Sequence, residues 1–267
     1  MSLPLRLTPP FLLGSRRSVR LVERNVLLYR RTWMVILSGF FEPLFYLAGI
    51  GFGLGALVGE VPGPGGSPIP YQLFVAPALL ASAAMNGAIT EGTYNFYFKL
   101  THDRTFEAIL ATPLSPGDVA VGELAWALIR GGLYAAGFCV VMAVLGLVVS
   151  PWILLAVPAA LLIGFAFGGV AMAATSFMRS WQDFDLIQLV VLPLFLFSGT
   201  FFPVEAYPEA LRVVVQLTPL FHGVELLRSL AVGVVEPGLL VHVAYLAAMG
   251  LAGLAVVSRR VERLLLR

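Results

Sequence analysis

Charge is what this sequence lacks over most of its length. Only 12% of its 267 residues are charged, whereas 59% are hydrophobic. The 48 residues from 131 to 178 contain no Asp, Glu, Lys or Arg. A bilayer core takes about 20 apolar residues in one helix, so this run predicts two membrane spans that meet at a bend, Ser150-Pro151-Trp152. The composition therefore indicates a membrane protein.

Cysteine, histidine and lysine are also scarce. The single cysteine, Cys139, lies inside a predicted span, which excludes an intrachain disulfide or a cysteine metal cluster; we interpret it as a small apolar filler. His102, His222 and His242 belong to separate segments, so no zinc or other metal site is predicted. The only lysine, Lys99, has no glycine loop before it, and the chain therefore has no Walker A motif. If transport is driven by ATP, a separate cytoplasmic protein must bind and hydrolyse it.

The apolar runs predict an all-α, polytopic membrane protein with one transmembrane domain, 1–267. Six transmembrane helices are predicted, at 33–58, 71–98, 119–149, 151–178, 184–204 and 237–258. Of the 17 basic residues, seven precede the first span and four follow the last, so both termini are predicted to be cytoplasmic. This topology explains the net charge of +2, which therefore does not indicate nucleic-acid binding. Sixteen arginines against one lysine suggest a G+C-rich genome, hence a bacterial plasma (inner) membrane.

The segment 14–32 is predicted to form an amphipathic helix in the cytoplasmic headgroup layer. At 3.6 residues per turn, its arginines and Glu23 share one arc, interrupted only by Leu27, and apolar side chains occupy the other. Anionic membrane lipid is therefore an expected partner. The helix is either an anchor that fixes the topology or also a brace for a cytoplasmic protein.

The loop after the second span contains the signals of a short helix, which a simple connecting loop would not need. Asp103 can cap a short helix at 101–112, and Thr112-Pro113 must end it, because a residue before proline avoids the helical region. Phe106 and Leu110 would then need a groove. That groove belongs either to the spans of this chain or to a second protein.

Prolines 203, 208 and 219 divide the segment 205–233 into two helices too short to span. We predict an extracytoplasmic, re-entrant outer cap. Its aromatic residues either shield an apolar group leaving the membrane or fill gaps between spans, and its polar residues form one helical face. The outer-cap residues are Phe201, Phe202, Tyr207, Phe221, His222, Glu225 and Arg228.

Four charges fall within the spans, at Glu42, Glu91, Glu123 and Arg130. A lone arginine in a bilayer costs at least about 2.5 kcal/mol, so Arg130 should face an acid. Counting about 1.5 Å per residue puts Glu42 and Arg130 at similar depth, roughly 15 Å in, and predicts that they pair, with Glu91 as the next choice. The pair either locks two spans together or guides polar groups of a substrate.

Three segments resemble the membrane subunits of type-2 ABC exporters, in the branch of the nodulation-factor exporter permease (NodJ) and the daunorubicin exporter permease. They are the glycine-rich Glu42 to Gly55, the loop Arg104 to Pro113, and the late segment from Phe202-Pro through Thr218-Pro to Arg228. The resemblance implies a coupling helix in the first cytoplasmic loop, an ATP-binding-cassette ATPase that binds ATP and Mg, and a second permease copy or paralogue. The ATPase-coupling residues it implies are Arg104, Thr105, Phe106, Glu107, Ile109, Leu110 and Pro113.

These features predict a permease subunit that exports an amphiphile, such as a lipid-linked saccharide, a glycolipid or a hydrophobic drug. Without a cofactor or ATPase site of its own, the chain is not expected to be an enzyme. The alternative is a stand-alone ion-coupled carrier or an intramembrane enzyme. An enzyme of that kind usually shows convergent polar motifs in its spans, and the sequence has none.

Overall fold

The structure is a computed structural model that describes residues 18–29, 41–103 and 105–265. Predictions that concern Arg104, and the parts of the amphipathic helix and of the first span at 14–17 and 30–40, lie outside these residues. The described chain is helical apart from one short β-hairpin. Its helices are α1 (Val19–Tyr29), α2 (Phe41–Val58), α3 (Tyr71–Thr101), α4 (Thr105–Leu110), α5 (Pro116–Val144), α6 (Pro151–Thr175), α7 (Asp183–Leu196), α8 (Glu209–Leu217), α9 (Pro219–Val232) and α10 (Leu239–Leu265).

Five helices are long and apolar enough to cross a membrane: α2, α3, α5, α6 and α10. A sixth crossing is present if α8 and α9, which meet at 84°, are counted together. The all-α, polytopic fold class is thereby confirmed. Between α2 and α3 lies the hairpin, whose strands β1 (Glu60–Pro62) and β2 (Pro68–Pro70) pair antiparallel with Val61 opposite Ile69.

The predicted fifth span, 184–204, was wrong in its extent. Helix α7 ends at Leu196 after 14 residues, or about 21 Å, whereas a hydrocarbon core is about 30 Å thick. Pro193 lies inside its last turn, and Gly199 just beyond it has a positive φ of 69°. The charge-free run therefore continues past Leu196 as irregular backbone, which must be covered by protein at this depth.

Helix α5 begins where local capping dictates. Ser115 and Asp118 form a reciprocal capping box, and Pro116 occupies the first turn, where its missing N–H is not needed. The helix thus starts at Pro116 rather than at 119. It carries Gly122 against α1, where an added Cβ would lie 2.7 Å from Leu21, so the glycine lets α1 pack directly on α5.

Helices α6 and α10 make the closest helix packing in the described chain. A Cβ at Gly253 would lie 2.4 Å from the carbonyl carbon of Gly169, and a Cβ at Gly169 would lie 2.8 Å from the oxygen of Gly250. Small residues permit this backbone approach, which drives helix association in membranes through van der Waals packing. Helix α10 is thereby held closely against α6.

Two helices contain π-helical turns, Leu47–Leu54 in α2 and Glu91–Asn95 in α3. The second lies against α6, where a Cβ at Gly92 would come within 2.8 Å of the Ala171 Cβ. The Thr175 hydroxyl donates to the Gly92 carbonyl at 2.9 Å. A side chain from α6 thus satisfies backbone that the irregular turn leaves available.

Candidate functional site

A cavity of about 260 Å³ lies among α2, α3 and α5. Its walls are mostly small or apolar, and its polar groups come from all three helices. Added Cβ atoms at Gly87 and Gly131 would meet nothing within 4 Å, so both glycines open directly onto free space. The polar or charged lining residues are Glu42, Asn86, Thr90, Glu91, Arg130 and Tyr134.

The intramembrane arginine pairs with Glu91, and the predicted Glu42–Arg130 pair was wrong. Arg130 and Glu91 form a salt bridge whose side chains are 14% and 8% exposed. Asn95, one turn along α3, donates its side-chain amide to Glu91 at 2.7 Å. The sequence favoured Glu42 because its predicted depth in the membrane is similar to that of Arg130. In the structure Glu91 faces α5 from α3 and forms the contact instead.

Aromatic hydroxyls hold Arg130 from two other sides. Its guanidinium donates to the Tyr29 hydroxyl at 3.2 Å and lies 5.0 Å from the centre of that ring. The Tyr134 hydroxyl accepts a longer bond of 3.5 Å. Tyr29 belongs to α1, so the amphipathic N-terminal helix is physically connected to the buried ion pair.

Glu42 lines the same cavity but is not neutralised there. No described residue forms an ion pair or hydrogen bond with it, and it is exposed. On its other side Glu42 borders an open apolar depression formed by Phe41, Phe45, Tyr46 and Ile50. The carboxylate therefore lies between this cavity, whose polar groups come from three helices, and a mainly aromatic surface.

A second ion pair between α3 and α5 was missed by sequence analysis. Lys99 Nζ lies 2.5 Å from Glu123 Oε2, and the two side chains are 15% and 6% exposed. In the sequence Lys99, the only lysine, serves solely to exclude a Walker A motif, and no partner is predicted for it. In a regular helix its eight-residue separation from Glu91 would put these two charges about 80° apart, so helical spacing did not indicate that both face α5.

The short helix α4 is bound to its own chain by one face. Phe106 is fully buried, with its ring centre 5.1 Å from that of Phe96, and Ile109 is buried in the same cluster. Leu110 packs against this cluster and remains partly exposed. Of the two grooves considered from the sequence, Phe106 occupies the one in its own chain.

The opposite face of α4 is exposed. Glu107 and Ala108 lie on it, followed by Ala111, Thr112 and Pro113. Thr105 is half-buried at the start of the helix. A second protein can therefore contact α4 through these residues while Phe106 stays in place.

Arg228 organises the outer cap. Its guanidinium donates to the carbonyls of Gly199 at 2.6 Å and Phe74 at 3.1 Å, pairs with Glu225 at 2.6 Å, and lies 3.7 Å from the centre of the Phe74 ring. The bond to Gly199 satisfies a carbonyl of the irregular backbone after α7, and the bond to Phe74 connects α9 to α3. Arg228, predicted to lie on a polar helical face, is thus almost completely buried.

The aromatic cap residues divide into two groups. Phe201 and Phe221 are buried, with exposures of 7% and 8%, whereas Phe202 is 57% exposed. Tyr207 is half-buried, donates to the Leu196 carbonyl at 3.2 Å, and has its pKa raised by burial. The buried pair fills gaps between helices, and Phe202 is available to another molecule.

Histidines on separate segments meet beneath this cap. His222 Nδ1 and His242 Nδ1 lie 2.7 Å apart, so one ring donates a hydrogen bond through its N–H and the other accepts it. The His222 ring stacks on Tyr245 with centres 4.0 Å apart. The contact joins α9 to α10 and could not be read from positions 20 residues apart in sequence.

Long apolar helices, buried ion pairs and an irregular segment covered by protein define a multi-pass α-helical membrane protein. Residues 18–232 match the family model described as ABC-2 type transporter. The chain belongs to the ABC-2 type transporter family, whose members are membrane subunits of transporters, and the resemblance found in the sequence is confirmed.

Curated relatives agree along most of the chain. It is 35% identical over 222 residues to nodulation protein J of Rhizobium leguminosarum bv. trifolii, covering 82% of this chain and 83% of the relative. It is 33% identical over 247 residues to that of Rhizobium leguminosarum bv. viciae, covering 90% and 93%. Against nodulation protein J of Rhizobium meliloti strain 1021 the identity is 36% over 213 residues, 79% of each chain.

Proposed function

We propose that this chain is the permease subunit of an ATP-driven exporter that moves an amphiphile outward, with ATP and Mg bound by a separate ATP-binding-cassette ATPase. Membership of the ABC-2 family supports the transporter role. The chain's single lysine, Lys99, is committed to an ion pair with Glu123, which supports an ATPase site outside this chain.

The observation that carries this proposal is the two-faced helix α4. Its inner face is fixed by Phe106 to the ends of α3 and α5, and its outer face is exposed. A partner that moves this outer face would move the ends of both helices with it, because a packed cluster transmits displacement. Helix α4 is therefore suited to carry an ATPase movement into the membrane.

We place α4 on the cytoplasmic side of a bacterial plasma membrane and the α8–α9 cap outside. The distribution of arginine supports this orientation. Large apolar side chains on α2 and α7 are exposed, among them Phe45 at 71% and Leu189 at 70%. These surfaces suit membrane lipid and a second permease copy or a paralogue.

The experiment combines copurification with reconstituted transport. The chain and the ATPase that copurifies with it are placed in vesicles, and export of a labelled amphiphile is measured with and without ATP. Ala108→Trp, on the exposed face of α4, should reduce both ATPase binding and export. Ser67→Trp, equally bulky and exposed in the hairpin, should change neither. Full export by the Ala108→Trp protein would refute the assignment of α4.

A further inference from the structure

The cavity among α2, α3 and α5 has an excess of negative charge. The Glu91 carboxylate and the Arg130 guanidinium neutralise one another, and Glu42 is left as the one uncompensated charge among the described lining residues. A carboxylate at membrane depth is costly without a partner. Its position favours a ligand group that is positively charged and donates hydrogen bonds.

The shape of the site indicates what is attached to that group. A volume of about 260 Å³ is below the range for a whole drug-sized ligand, which begins near 300 Å³, and suits a small headgroup. Outside it, Phe41 and Phe45 stack with ring centres 6.1 Å apart beside Ile50. A ligand that fills both parts has a compact cationic head and an apolar body.

We propose that this cavity is a binding site for the ammonium group of an amphiphile, with Glu42 as its counter-ion and the apolar depression of α2 receiving the hydrophobic part. Asn86 and Thr90 line the cavity beside it, and their side-chain oxygens can accept hydrogen bonds from the remaining ammonium N–H groups. The identification of the bound molecule as the transported substrate rests on the proposed export function. Binding of such a molecule by the cavity does not depend on that function.

Two kinds of variant test separately how the charge of Glu42 and the free volume of the cavity contribute to binding. Glu42→Gln removes the charge and keeps the volume, and Glu60→Gln in the exposed hairpin is its control. Gly131→Leu fills the cavity from a position where an added Cβ meets nothing within 4 Å. Gly238→Leu is its control, since that glycine also faces open space and lines neither the cavity nor the apolar depression of α2.

Binding is measured on the purified chain in phosphatidylcholine vesicles, by energy transfer from tryptophan to a pyrene-labelled primary alkylammonium. The N-acetylated form of this probe has the same tail and no charge. The wild-type chain should bind the ammonium about tenfold more tightly or better, the factor expected for a charge-assisted hydrogen bond. Glu42→Gln should abolish this preference, Gly131→Leu should weaken binding of both probes at least about tenfold, and both controls should behave as wild type.

Equal affinity of the wild-type chain for the two probes would overturn the inference, as would an unchanged preference in Glu42→Gln or unchanged binding in Gly131→Leu. Circular dichroism and elution volume of each variant establish that it is folded. ATP-driven export is assayed separately with the ATPase. Selective binding without ATP-driven export would refute the proposed function and leave the site; export without selective binding would do the reverse.

Discussion

Breaking the Arg130–Glu91 pair should destabilise the protein far more than replacing both partners. Their side chains are only 14% and 8% exposed, so Arg130→Met strands a buried carboxylate and Glu91→Gln strands a buried guanidinium. Each single change should cost about 3–5 kcal/mol, whereas an apolar replacement of both members is often nearly neutral. A double variant that is no less stable than either single variant recovers at least about 3 kcal/mol relative to the sum of the single changes, and a neutral double variant recovers about 6–10 kcal/mol.

The assay is a double-mutant cycle on the free energy of unfolding of the purified chain in detergent micelles. A second cycle at Arg20 and Glu23, which pair on the exposed surface of α1 with exposures of 77% and 53%, serves as the control and should give less than about 1 kcal/mol. A third cycle combines Arg130→Met with Glu42→Gln, and the coupling between these two residues should be weaker. Coupling below about 0.5 kcal/mol between Arg130 and Glu91, or stronger coupling to Glu42, would refute the contact.

Two further predictions concern the helix α4 and the topology. Phe106→Ala should lower the free energy of unfolding by about 3–5 kcal/mol because the ring is fully buried. Glu107→Ala, on the exposed face, should leave it unchanged. Both are measured by denaturant titration, and equal stability of the two variants would contradict the packing. In a Cys139→Ala background, Glu209→Cys should react with a membrane-impermeant thiol reagent added to intact cells, and Ala111→Cys only after the membrane is opened. The opposite labelling pattern would reverse the orientation.

Most of the helices follow from the apolar runs because bilayer thickness sets their length, and that constraint is local. The irregular structure of the segment after Leu196 cannot be predicted in this way, because the residues that follow Leu196 are as apolar as those of the helix before it. What decides its structure is Arg228, which lies 29 residues beyond Gly199 and donates to the carbonyl of that glycine. The pattern of residues within 184–204 therefore cannot predict the hydrogen bond from Arg228 on α9.

The candidate site was only partly predictable for a related reason. Counting residues gives the depth of a charge, and depth correctly placed Arg130 among acids within reach. Choosing between Glu42 and Glu91 requires the direction in which each side chain faces, and a π-helical turn alters that direction in α3. The same limit hid the Lys99–Glu123 pair and the contact between His222 and His242.

The π turn Glu91–Asn95 sets the rotational phase of α3. At about 100° per residue, the eight positions from Glu91 to Lys99 would place the two charges about 80° apart around a regular helix. A π turn takes up one additional residue, which leaves about 700°, within about 20° of two full turns. Glu91 and Lys99 thereby face α5 together, where Arg130 and Glu123 are separated by seven residues and already in phase. The extra residue thus lets α3 and α5 join at two depths, and deleting one residue within 92–95 would rotate one ion pair away from its partner helix.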